Sequence, residues 1–174
     1  MISDSSPLII LGKLNKLELL AKVFGKIEIV KSVYNEVVEE GKKSGKAEAF
    51  DIEELIENKK ILIRNLDKDA MSKSSFLQKS YSKLGIGEAD SLALSLAEKQ
   101  KEILIDEAFA RKVARIHGIK PIGVLRVLLI AYKRGIIEKN IVKEIFDKIM
   151  LEDFRVGANV LQEFLLLFDK VKRK

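Results

Sequence analysis

Short, β-branched apolar runs alternate along this chain with longer stretches of helical periodicity, and that alternation limits the fold more than any other feature. The runs at 27–30, 61–63, 103–105 and 119–122 read as strands. Between them, apolar residues recur at helical spacing, as in Leu17, Leu20, Ala21 and Phe24, or Leu92, Ala93, Leu96 and Ala97. A helix between two strands carries the chain back to its starting edge, so successive strands run parallel and helices cover both faces. The expected fold class is therefore α/β, a three-layer α/β/α sandwich around a central, mostly parallel sheet. At 174 residues the chain suffices for one full core and is short for two.

Residues 1–3 read as a very short opening strand, followed by a helix with Pro7 in its first turn, where a missing N–H costs nothing. Ser32 is a candidate N-cap for a helix over 33–42, and further helices are expected over 47–58, within 65–86, and over 88–99, 108–117 and 124–134. Pro121 cannot donate to a ladder, which puts 119–122 at a sheet edge. The whole of 1–174 reads as a single domain with a helical extension at about 138–174. In its last helix Leu161, Phe164, Leu165 and Phe168 form one stripe, with Leu166 and Leu167 largely off it. That surplus suggests a homodimer or partner interface, with burial inside the fold as the alternative. The final Lys170-Val171-Lys172-Arg173-Lys174 reads as a frayed basic end.

Apolar residues make up 47% and charged residues 33%, the balance of a soluble globular protein. No apolar run approaches the roughly 20 residues that span a bilayer, and the first residues lack the pattern of a signal peptide, so a cytoplasmic location is expected. The absence of cysteine excludes disulfides, thiolate metal sites and a cysteine nucleophile. A net charge of +6 fits a polyanionic partner, because basic groups gain affinity for phosphates through counterion release.

Four acidic residues stand beside the apolar segments. Asp4 and Asp106 each follow a strand, Glu36 lies in the helix after 27–30, and Asp90 lies near the start of the helix before 103–105. In a sheet of this kind, residues just past strand ends gather at one edge, where ligands bind. Carboxylates gathered there repel one another unless a hard divalent cation with oxygen ligands neutralises them. One or two Mg²⁺ or Mn²⁺ ions would activate water and stabilise charge on a scissile phosphate.

At these residues the chain resembles PIN-domain proteins. Ser3-Asp4-Ser5-Ser6-Pro7-Leu8-Ile9 is similar to the family's opening motif, and Val33-Tyr34-Asn35-Glu36-Val37 to the segment with its second acid. Gly87-Glu88-Ala89-Asp90-Ser91-Leu92-Ala93-Leu94 resembles the segment of the third, and Leu104-Ile105-Asp106-Glu107-Ala108-Phe109-Ala110-Arg111 the strand that delivers the fourth. The likeness covers about residues 1–135 and is strongest to a toxin-like prokaryotic subgroup related to the VapC ribonucleases. It implies a metal-dependent endoribonuclease, often the toxin of a toxin–antitoxin pair, with RNA as substrate, an antitoxin protein as partner, and Asp4, Glu36, Asp90 and Asp106 as catalytic metal ligands. Two positions depart from the pattern. Many relatives carry two aspartates where this chain has Asp106-Glu107, and after Gly123 this chain has Val124 and Arg126 where threonine and glycine are frequent.

Each residue also has a plainer reading. Asp4 could cap the first helix, Glu36 could be a solvated helix charge, and Asp106 or Glu107 could cap the next helix. Glu88 and Asp90 are two residues apart, about 200° around a helix, so they cannot face the same way. Of the two, Glu88 fits a first-turn charge favouring the helix dipole, and Asp90 the ligand. Ser5 and Ser6 either orient Asp4 or start the helix. Arg111 and Arg115, one turn apart, either meet RNA phosphates or form a solvated face. The lone His117 reads as a helix-end residue. The rival function is a PIN-fold module that binds RNA or protein with weak or no catalysis.

Overall fold

A computed structural model describes residues 1–151, 154 and 156–171. Its strands are short and all parallel. β1 (Ile27–Val30) pairs with β2 (Ile61–Arg64), and β3 (Glu102–Leu104) pairs with β4 (Lys120–Ile122). The opening residues join the two pairs, through bridges from Ile2 to Glu28 and from Ser3 to Leu104. Four backbone hydrogen bonds tie this segment on both sides, from the Ser3 amide to the Glu28 carbonyl, Glu28 to Met1, Asp4 to Leu104 and Leu104 to Ile2, each 2.9 Å. The order across the sheet is thus β2, β1, the opening segment, β3, β4. The shortest run in the sequence lies at the centre, and Pro121 falls on the outer strand as expected.

Helices cover both faces. They are α1 (Ser5–Lys13), α2 (Glu18–Phe24), α3 (Lys31–Tyr34), α4 (Gly41–Lys43), α5 (Ala47–Glu57), α6 (Lys68–Ser80), α7 (Ile86–Ala97), α8 (Ala108–Ile116), α9 (Val124–Lys133), α10 (Lys139–Leu151) and α11 (Ala158–Lys170). The mixed α/β architecture is the expected three-layer arrangement. Ile2, Ile29, Leu104 and Ile122 in the sheet, with Leu8, Leu11, Leu92 and Leu128 on the helices, form one apolar core that reaches Phe164. Each such aliphatic side chain, fully buried, favours the fold by about 1.5–3 kcal/mol. Among the described residues no helix is long and apolar enough to cross a membrane.

Three local expectations change. Ser32 does not cap a helix over 33–42. The helix begins two residues earlier, at Lys31 behind Val30, and the Ser32 hydroxyl is drawn instead to Asp90. That helix is also not regular, because Asn35–Glu40 forms a π-helical turn between α3 and α4. In α11 the packing side is narrower than the sequence stripe. Phe164 stacks between Phe146 and Phe168, with ring centroids 4.8 and 5.5 Å away, Leu167 is half-buried, and Leu165 and Leu166 face solvent. The expected basic end falls partly on 172–174, outside the described residues.

Candidate active site

All strands point their C-terminal ends to one edge, and the acidic residues are delivered there by different elements. Asp4 ends the central segment. Its N–H closes the ladder on the Leu104 carbonyl, and its side chain turns back beneath α1. It is only 1% exposed, and its Oδ1 is buried with no hydrogen-bond partner among the described residues. The other oxygen, Oδ2, accepts from the Ser6 hydroxyl at 3.3 Å. The same Ser6 oxygen accepts from the Asp106 amide at 3.3 Å, so one serine ties the ends of two neighbouring strands together. Asp4 stands at the N-cap position of α1 but makes no capping hydrogen bond through its side chain.

Glu36 reaches the same place from the π-helical turn. Such turns alter the direction of side chains within a helix and recur at functional sites. The meeting point is Gly87, in the first turn of α7. A Cβ there would lie 3.4 Å from Glu36 Oε2, 3.7 Å from Asp4 Oδ1 and 3.2 Å from Val33 Cγ2. A side chain larger than that of glycine would therefore press on Val33 and meet both carboxylates.

Glu88 caps the first turn of α7, as its helix-dipole reading held, and its charge also reaches Asp4 and Glu36. Burial raises its pKa, the Gly85 amide opposes that rise, and the charges of Glu107 and Glu36 add to it. Its Oε2 accepts from the Gly85 amide at 2.7 Å. Asp90, the residue expected as ligand, is held elsewhere. Its two oxygens accept from the Ser32 hydroxyl at 2.6 Å and the Ser74 hydroxyl at 2.5 Å, which fasten α7 to α3 and α6. The 200° between the two positions forces this division. A signal for Glu88 was present in the sequence, since a helix that leads into a parallel strand starts at the strands' C-terminal edge, and Glu88 is nearer that start.

Asp106 lies beside this group, not inside it. Its Oδ2 accepts from the Val124 amide at 2.9 Å, at the start of α9, and the Arg111 guanidinium lies alongside. Arg111 is itself buried and donates from Nη1 to the Ile105 carbonyl at 3.0 Å. Glu107 caps α8 by accepting from the Ala110 amide at 2.8 Å, as its plainer reading held, while its charge reaches Glu88. Ser5 is buried, and its amide acts on the Asp4 carboxyl.

A family model of PIN domains (DUF3368) matches residues 1–170. The chain belongs to the PIN-domain family. No curated protein matches it.

Does this PIN domain's edge suit a divalent cation? Asp4 supplies the strongest answer. Burial pushes its pKa up to about 7 from 3.8; the Ser5 amide opposes this, and the charges of Glu88 and Glu36 add to it. A buried carboxylate oxygen without a donor, faced by two further carboxylates, is a set of hard oxygen ligands short of positive charge. Among the described residues no three acidic side chains are yet close enough to hold one ion together.

The raised pKa has a thermodynamic consequence. Asp4 binds its proton more tightly in the folded protein, at about 7, than in the unfolded chain, near 3.8. Its contribution to stability is full below about pH 4 and is lost as pH rises through about 7. Asp106, pushed up to about 6 by burial against the opposing Val124 amide and Arg111, has the same sign. In chelator, the melting temperature is expected to fall between about pH 5 and pH 8, and Mn²⁺ to restore it mainly at the higher pH. A chelated protein that melts at one temperature across that range would contradict the assignment.

Proposed function

We propose that this PIN domain is a metal-dependent endoribonuclease that uses Mg²⁺ or Mn²⁺. The observation that carries this reading is the unpartnered Asp4 Oδ1, buried beneath Glu36 and Glu88 at the open edge of the sheet. PIN domains are generally nucleases, and the opening Ser3-Asp4-Ser5-Ser6 and the Asp106-Glu107 segments resemble that family's acidic motifs. When bound, a divalent cation supplies Lewis acidity toward a water nucleophile and the scissile phosphate.

Asp4, Glu36 and Glu88 would hold the ion, moving closer together than they stand in the metal-free chain. Asp106 joins from the next strand end, kept in place by the Val124 amide and partly neutralised by Arg111. Ser6 fixes the spacing of the two aspartates, and Asp90 keeps α7 seated so that Gly87 and Glu88 stay over Asp4. RNA is the substrate class, in single-stranded or loop form, whose bases are accessible. A toxin role in the manner of the VapC ribonucleases, with an antitoxin protein as partner, and a homodimer using the exposed Leu165 and Leu166 extend the same reading.

The two acids of α7 give the sharpest test. In a Mn²⁺-dependent RNA cleavage assay, Glu88→Gln is expected to lower the rate at least about tenfold, equivalent to about 1.4 kcal/mol of barrier. Asp90→Asn still accepts from one serine and is expected to stay within a few-fold of the parent. If Asp90→Asn proves the more damaging while remaining folded, the assignment of ligands on α7 is reversed. Cleavage that persists unchanged in chelator would favour a binding module with a contaminating nuclease.

A further inference from the structure

A cavity of about 470 Å³ opens between α8, β4, α9 and α11, with Arg111 and Gly123 in its wall. Its volume is that of a small-molecule site. Arg111, Arg115 and Arg126 all line it, and Glu163 of α11 is the one carboxylate in its wall. Arg115 and Arg126 are exposed, and neither pairs with a carboxylate among the described residues. Arg111 spends one nitrogen on the Ile105 carbonyl and turns the rest of its fork towards the cavity side. Asp106 and Glu163 offset the charge of Arg111, which leaves Arg115 and Arg126 as the positive charge without a partner among the described residues, and arginine's planar fork matches phosphate best.

The remaining wall is mainly apolar, apart from Lys120, which pairs with Glu102. Leu125, Leu129, Phe164 and Leu167 face the same space, and Pro121 closes one side. A bare phosphate would leave that surface wet, whereas a hydrophobic peptide would leave the arginines unpaired. A ligand that joins a phosphate to a flat, weakly polar ring satisfies both. We propose that this cavity binds a nucleoside monophosphate unit, with phosphate on Arg115 and Arg126 and the base against Leu129 and Phe164. The unit is either a free nucleotide or one residue of an RNA chain whose neighbouring phosphate lies at the carboxylate edge. The inference is independent of cleavage, because the cavity needs no metal.

The test is a binding titration of the full chain with AMP in chelator, followed by calorimetry or NMR, with adenosine and inorganic phosphate as comparison probes. AMP is expected to bind at least about tenfold tighter than either, since each probe lacks one half of the recognition. Arg115→Glu with Arg126→Glu is expected to weaken AMP at least about tenfold at an unchanged melting temperature, both side chains being on the surface. Glu163→Gln is expected to tighten it several-fold, a direction that misfolding cannot produce. Displacement of AMP by a short single-stranded RNA assigns the ligand to the RNA chain, and bound AMP that resists displacement assigns it to a free nucleotide; both uphold the site. AMP binding no better than adenosine or phosphate, or indifferent to all three substitutions, overturns it. Loss of RNA cleavage in Glu88→Gln with AMP binding intact would leave this inference standing on its own.

Discussion

Asp4→Asn is expected to make the metal-free protein more stable while removing metal binding and RNA cleavage. The carboxyl is 1% exposed, and its pKa is pushed up to about 7 from 3.8. At pH 8 the fold therefore holds a charge against a penalty of up to about 4 kcal/mol, taking about 1.36 kcal/mol per pKa unit. Asparagine keeps the shape, still accepts from Ser6, and carries no charge for Glu36 and Glu88 to repel. A realised gain of about 1–3 kcal/mol would raise the melting temperature by roughly 3–10 °C in a chain of this size. The same change removes the deepest of the proposed ligands, so cleavage should fall by about a hundredfold or more, some 2.7 kcal/mol of barrier. Thermal melts in chelator and with Mn²⁺, beside a cleavage assay, read both effects. A variant that is less stable than the parent at pH 8, or that still gains stability from Mn²⁺, would show that Asp4 is an ordinary buried residue.

Gly123→Ala is expected to be costly for the opposite reason, because it adds volume where there is none. The backbone at Gly123, φ −96° and ψ 170°, is open to any residue, so the effect is purely steric. The new methyl would lie 2.3 Å from Asp106 Oδ1 and 2.8 Å from Arg111 Nη1. Asp106 must then give up its bond to the Val124 amide or push Arg111 from the Ile105 carbonyl. Overpacking of this kind costs about 1–3 kcal/mol, and cleavage is expected to fall at least about tenfold as Asp106 leaves its place. Gly157→Ala is the control, since no atom lies within 4 Å of a Cβ there, and its cost should be only about the difference between glycine and alanine at an N-cap, roughly 1 kcal/mol or less. Equal melting temperatures and rates for Gly123→Ala and the parent would mean that Asp106 and Arg111 move aside freely.

The acids at the strand ends were legible before any coordinates because their signal is local. Asp4 and Asp106 follow runs whose composition marks them as strands, and parallel strands leave their C-terminal ends on one edge wherever each lies in the sheet. Choosing between Glu88 and Asp90 was not local. Both sit near one helix start, and periodicity states only that they diverge. Ser32 and Ser74, 58 and 16 residues from Asp90, claim its carboxylate, and no pattern within the helix announces partners at that distance. The π-helical turn that carries Glu36 is hidden for a similar reason, since one extra residue in a turn changes direction without changing composition.

By itself, the sequence determined the α/β class, the parallel sense of the strands, Pro121 at the edge and the acidic character of the strands' C-terminal edge, because each depends on short-range periodicity and chain connectivity. Only the tertiary structure decided that residues 1–3 are the sheet's centre, that Glu88 and not Asp90 looks toward Asp4, and that three arginines from α8 and α9 share a cavity with α11. Those outcomes depend on which side chains from distant segments reach the same few ångströms, and on the charge and burial they meet there.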